Sequence, residues 1–284
     1  LEDGDKIVGI NDQDIATTSD LRDGVAGLEP GQEVQIRYER DGEPGRVSIS
    51  LGRLPTAIPS SLPPAYGSIP ASEDEQPPSG MVDVKIPEYA NKCIALVPDN
   101  YDGRIAHGLV VWLHAPGNFD QQQLEARWKD ACADQHLILL SPQSSDPQRW
   151  TPTEAEFVRK TMDDVVNRYS IDDSRVVLHG EQAGGAMAYL VALGNRDLAR
   201  GVVAVNAALP RRIGRPATDP EQRLAFLSCL AEDSKVKEQV EASEKALAEL
   251  QFPVSTMKLA EDESYLNDDQ FAAMLRWIDS LDRI

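Results

Sequence analysis

The chain has 284 residues, with 28 Lys and Arg against 47 Asp and Glu, for a net charge of −19. That balance argues against nucleic acid and anionic membrane surfaces as partners. No run approaches the roughly 18 apolar residues that a membrane helix needs, so no membrane insertion by these residues is expected. With 41% hydrophobic residues, the length accommodates one large domain and one small one.

In residues 1–51 strand and turn signals alternate. Lys6–Asn11 reads as a strand, Thr18 or Ser19 can cap a short helix over Asp20–Leu28, and "EVQIRYER" and "RVSISL" flank Asp41-Gly42 as a β-hairpin. Within the helix Leu21 and Val25 stand at i, i+4. That spacing suits one wall of a peptide-binding groove, and equally the core stripe of any amphipathic helix. The stretches "LEDGDKIVGINDQDI" and "SDLRDGVAGLEPGQEVQIRYERDGE" resemble the second half of a PDZ domain, of the kind attached to HtrA-type secreted serine proteases. The resemblance implies a partner that is a protein or peptide terminus and an extracytoplasmic location, periplasmic or secreted. Because the chain starts on Leu1, the family's carboxylate-binding loop, the strand that a peptide augments and an HtrA-like protease region are expected upstream. Any oligomerisation would run through that upstream part.

Residues 52–80 hold seven prolines with Ser, Gly and the acidic triplet Glu73-Asp74-Glu75, and no hydrophobic period, which predicts an extended linker. A proline-rich ligand for another domain is the alternative reading.

From residue 81 to 284 the period changes. The runs "CIALVP", "GLVVWLH", "HLILLSP", "RVVLHG", "GVVAVNA", "LAFLSCLAE" and "PVSTMKLA" alternate with helical stretches near 121–135, 153–169, 182–194, 235–250 and 267–283. This predicts an α/β domain, a mostly parallel sheet with helices on both faces. Cys93, Cys132 and Cys229 fall inside such runs, where a thiol acts as a small hydrophobe, and no Cys/His spacing suggests zinc.

In "RVVLHGEQAGGAMAYL" an apolar strand enters a Gly-flanked turn and then an Ala-rich helix, which is how a hydrolase presents its nucleophilic serine. With "ALVPDNYDG", "LVVWLHAPG", "ILLSPQ" and the C-terminal helix, the region resembles the α/β-hydrolase fold, in particular its polyhydroxybutyrate-depolymerase and feruloyl-esterase-like branch. The resemblance carries the serine position onto Gln182, whose carboxamide has no ionisable proton and forms no acyl-enzyme. It carries the acid onto Asp233, beside Glu232. The histidine should follow "PVSTMKLA", where the sequence gives "EDESYLND"; the four histidines, His107, His114, His136 and His179, all precede the turn or lie in the strand leading to it. In the oxyanion loop His114 and Ala115 are a remnant, and Pro116 has no N–H to donate. His114 and His179 at strand ends admit either a metal pair or ordinary structural histidines; without an acidic third ligand no metal and no cofactor are expected.

The sequence therefore points to a non-catalytic PDZ and pseudo-hydrolase region that recruits or regulates within an HtrA-like protease. The alternatives are a hydrolase with a non-standard catalytic set drawn from Glu181, Asp233 or "EDESY", and a structural, envelope-assembly protein in which both domains only bind.

Overall fold

A computed structural model describes residues 1–61, 77–117, 119–260 and 265–281. The N-terminal module is a four-stranded sheet carrying one helix. Its elements are β1 (Lys6–Ile10), β2 (Gln13–Asp14), α1 (Thr18–Val25), β3 (Glu33–Arg40) and β4 (Glu43–Ser50), and the strand order is β2-β1-β3-β4. The β3–β4 hairpin closes through Asp41 and Gly42, with φ of 51° and 85°, the two positive values that a two-residue turn needs to match strand twist. Ile10, Ile15, Val34 and Ile36 form its small core, and Leu21 and Val25 of α1 pack against them, half-buried. The helix begins earlier than its sequence implies. Thr17, not Thr18 or Ser19, is the cap, because Asp20 can accept its backbone N–H while Thr17 Oγ1 accepts from Asp20 N at 3.1 Å.

The segment expected to be an extended linker differs in its first ten residues. Leu54 N donates to Gln222 Oε1 at 2.9 Å, Arg276 Nε donates to the Pro59 carbonyl at 3.0 Å, and Ile58 packs against the core of the larger module. Proline-rich composition hides the few apolar side chains that find a surface to cover. Residues 62–76 lie outside the described residues. Gly80 already belongs to a strand, so the larger sheet starts one residue before the expected boundary.

That sheet has eight strands: β5 (Gly80–Asp83), β6 (Cys93–Val97), β7 (His107–Leu113), β8 (Leu137–Pro142), β9 (Ile171–Glu181), β10 (Gly201–Val205), β11 (Ala225–Ala231) and β12 (Val254–Leu259). Their order is β12-β11-β10-β9-β7-β8-β6-β5, all parallel neighbours except β6, which runs antiparallel to β5 and β8. Strand β5, at the sheet edge, is not announced by its sequence: Gly80, Met81 and Val82 are half-buried and Asp83 is exposed. The helices α2 (Gln121–Asp134) and α6 (Asp268–Ser280) cover one face through Trp128, Phe271 and Trp277. The other face packs under α3 (Glu154–Arg168), α4 (Ala183–Gly194) and α5 (Lys237–Glu249) through Phe157, Tyr189 and Leu247. Central strands are covered on both sides, which is why they read as continuous apolar runs. Cys93, Cys132 and Cys229 are buried and free within this core. Among the described residues no helix is long and apolar enough to cross a membrane.

Gly184, on the first turn of α4, sits so close to the end of β7 that a Cβ there would lie 2.0 Å from the Leu113 carbonyl oxygen and 2.6 Å from that of His114. Both obstacles are backbone and cannot step aside. Gly184→Ala is expected to destabilise the larger module by about 3 kcal/mol, the upper range for overpacking, read as a lowered urea midpoint at unchanged m-value.

Candidate active-site elbow

Strand β9 runs to Glu181, Gln182 makes the turn, and α4 begins at Ala183. Gln182 has φ 51° and ψ −114°, a conformation that costs a non-glycine residue on the order of 1–3 kcal/mol. Its surroundings over-determine it: Gln182 N donates to the Val205 carbonyl at 2.9 Å, and Ala186 N donates back to the Gln182 carbonyl at 3.0 Å. The side chain is exposed, and its Nε2 donates to Glu181 Oε1 at 3.2 Å. Burial pushes the Glu181 carboxyl up to about 7, with the Gln182 amide pulling the other way.

The loop after β7 approaches this turn but directs its histidine away from it. Ser144 N donates to His114 Nε2 at 3.1 Å, so the ring proton is on Nδ1, which donates to the Ala115 carbonyl at 2.7 Å. Both nitrogens are committed. Trp150 Nε1 donates to the His114 carbonyl at 3.0 Å, and Phe119 and Trp150 place their rings beside the imidazole. Beneath them Glu154, 6% exposed, is a buried carboxylate with several donors. Ser145 N and Thr151 N reach it at 2.7 Å and Asn91 Nδ2 at 2.9 Å. Burial works to raise its pKa, but these hydrogen bonds outweigh that and hold it below the usual value. Ser144, Glu154 and His114 are residue types of a catalytic triad gathered in one place, yet the histidine accepts from a backbone N–H and not from the serine hydroxyl. The cluster clamps a loop. Ser144 and Trp150 carry no sequence signal; the Thr151-x-x-Glu154 spacing does, as a helix-start signature.

After β12, where a general base would stand, residues 261–264 of the "EDESY" stretch lie outside the described residues. Tyr265 turns inward and its hydroxyl lies 2.6 Å from His179 Nε2, while His179 Nδ1 bonds the Val203 carbonyl at 3.1 Å. Only an N–H can serve a carbonyl, so Tyr265 is the donor to Nε2. His179 lies inside β9, not at its end, and its fully buried ring is held neutral by burial, with a pKa lowered to about 4. Its ring lies in the core beside Trp128 and Tyr265. Asp233 and Glu232 follow β11 on the exposed surface, Glu232 bound to Lys237 at 3.2 Å. Among the described residues no group of three His, Cys, Asp or Glu could hold a metal.

A family model described as PDZ domain matches residues 1–51. The larger module has the α/β-hydrolase fold. Similar solved structures include the Francisella virulence factor BioJ, 12% identical with a TM-score of 0.57, over 74% of this chain and 86% of that one. A hyperthermophilic esterase from Pyrobaculum calidifontis is 13% identical with a TM-score of 0.55, over 73% and 87%. A thermostable esterase is 16% identical with a TM-score of 0.52, over 88% and 69%. No curated protein sequence matches the chain.

Within the hydrolase-fold module, then, the elbow keeps its backbone shape while the side chain on it is an amide. Helix α4 begins there with N–H groups that have no intrahelical partner, and in the loop after β7 Pro116 has no N–H to donate. The arrangement can accept hydrogen bonds from, or donate them to, a ligand at the turn, through the amide of Gln182.

Two outcomes follow for this site. Gln182→Gly should stabilise the protein by about 1 kcal/mol by relieving the positive φ, measurable as a raised midpoint of thermal unfolding. Glu181 titrates with the opposite sign to an ordinary paired carboxylate. Its folded pKa lies above the unfolded one, so its contribution to stability is present below about 4.5 and is lost as pH rises through about 7. Comparing unfolding free energies of wild type and Glu181→Gln between pH 4 and 8 should show that this loss disappears in the variant.

Proposed function

We propose that the chain is a non-catalytic binding and regulatory region: a PDZ module that recognises protein or peptide termini, joined to a pseudo-hydrolase module, within a larger extracytoplasmic HtrA-like serine protease. The observation that carries the non-catalytic reading is the elbow itself. It retains its strained backbone but presents Gln182, and no histidine follows it in the sequence. The three pieces of esterase chemistry are thereby weakened together: the nucleophile has no proton to lose, the base position has no imidazole, and Pro116 removes a donor from the oxyanion loop. His179 does not substitute as base, because Tyr265 and Val203 occupy both ring nitrogens. The PDZ match and the HtrA-like sequence pattern support the peptide-binding and protease-associated parts of the reading.

A second reading is favoured by one observation, Glu181 beside the elbow with its pKa raised to about 7, in the range of a general base. In that reading the module is an esterase or related hydrolase in which Glu181 activates water directly.

Turnover of p-nitrophenyl acetate by the full chain separates the two. Wild type and Gln182→Ser are both expected to stay at the buffer rate, since a serine hydroxyl without a base is a poor nucleophile and triad members act as a unit. Turnover that rises with a midpoint near pH 7 and vanishes in Glu181→Gln would establish the hydrolase reading instead.

A further inference from the structure

The chain between the two modules is too short, as it is held here, to let them move apart. Leu51 belongs to the PDZ sheet: its N–H donates to the Gln32 carbonyl at 2.9 Å, and its own carbonyl accepts from Gly31 N at 2.8 Å. Leu54 belongs to the hydrolase-fold module through Gln222 Oε1 at 2.9 Å. Only Gly52 and Arg53 lie between, and three residue steps span at most about 10 Å. Beyond Leu54 the half-buried positions are Ile58 and Pro59, while Pro55, Thr56, Ala57 and Ser60 are exposed. Ile58 packs against the core cluster formed by α2 and α6, and Arg276 of α6 holds the Pro59 carbonyl at 3.0 Å.

A second attachment comes from α1. Arg22 Nη1 donates to Ser174 Oγ at 3.2 Å and lies 3.8 Å from Asp172 Oδ1. Asp172 is itself bound by Arg175, which also bridges to Asp279 at the end of α6. The Arg22 contact is half-exposed and by itself contributes little. With the strap it fixes a second point, so that rotation about Gly52 and Arg53 is opposed.

All of these contacts lie at one end of the sheet. Asp172 and Ser174 begin β9, Gln222 precedes β11, and Arg276 and Asp279 lie in the last turns of α6, which returns antiparallel to the strands. Gln182 lies at the other end, nine residues beyond Asp172 at Glu181 and one more, or about 30 Å at strand rise.

We propose that residues 52–61 are a docking strap that locks the PDZ module against the end of the sheet opposite the elbow. The chain is then a rigid adaptor with two separate recognition ends, and a peptide bound by the PDZ module is not delivered to the elbow of its own chain. This stands whether or not the elbow is catalytic, so it fails or survives independently of the esterase assay.

The test is a distance measurement on the full chain. Spin labels at Ser48→Cys and Glu249→Cys, both exposed, can be placed selectively because Cys93, Cys132 and Cys229 are buried. Pulsed dipolar spectroscopy is expected to give one narrow distance peak, which broadens in Ile58→Asp. Tryptic cleavage after the exposed Arg53 should be slow and should accelerate about tenfold or more in Ile58→Asp and in Arg276→Ala, as the strap's local opening becomes easier. Circular dichroism of the same variants checks that both modules stay folded; if Ile58→Asp loses its fold, Arg276→Ala carries the comparison. A broad distribution in the parent protein, or unchanged distances and cleavage in folded strap variants, would overturn the proposal.

Discussion

The larger module is organised around one steric constraint, the close approach of backbone to backbone where β9 turns into α4. A Cβ on Gly180 would lie 2.4 Å from the Gly184 carbonyl carbon, and one on Gly185 would lie 2.5 Å from Ala207 Cβ. Together with Gly184 against β7, these contacts bring α4 down onto the centre of the sheet between β7 and β10. Gln182 has to take up a positive φ because the strand before it and the helix after it are both fixed. The shape thus follows from packing, and it persists with glutamine at the turn.

Packing also decides what the polar groups can do. A histidine is useful as a base only if one nitrogen is free to accept the substrate's proton and the ring can hold a charge. His179 meets neither condition, since it is buried and bonded at both nitrogens, and His114 is bonded at both by loop backbone. Glu154 spends its carboxylate on tying down residues 144–151, which in turn hold the His114 ring. Among the described residues Glu181 is the titratable group at the turn that remains loosely engaged, and its raised pKa comes from burial, with only the Gln182 amide opposing it. Its chemistry is set by what surrounds it more than by what it is.

The two modules differ in how they rely on each other. The PDZ module has a core of only a few aliphatic side chains, and the strap extends it onto a much larger apolar surface. A small core gains from being braced, because little apolar area is removed from water within it alone. Fixing the module also fixes the direction of its exposed face relative to the elbow, which a spacer of free coil would leave averaged.

Sequence by itself determined the division into two modules, the β-hairpin at Asp41-Gly42, the parallel α/β sheet, and a turn that carries Gln182 with no histidine after it. Those features rest on local rules: strand and helix periods, turn chemistry and residue identity at a motif position. Edge strand β5 stayed hidden because four residues, three half-buried and one exposed, have no strong period, and the cap at Thr17 because Thr17, Thr18 and Ser19 offer the same hydroxyl. Tertiary structure alone decided that Tyr265 reaches back 86 residues to His179, that Ser144 and Glu154 gather around His114, and that Ile58 and Leu54 are not spacer. Each of these is a meeting of residues far apart in the chain, and no local preference encodes which surface a side chain will find once the sheet has closed around it.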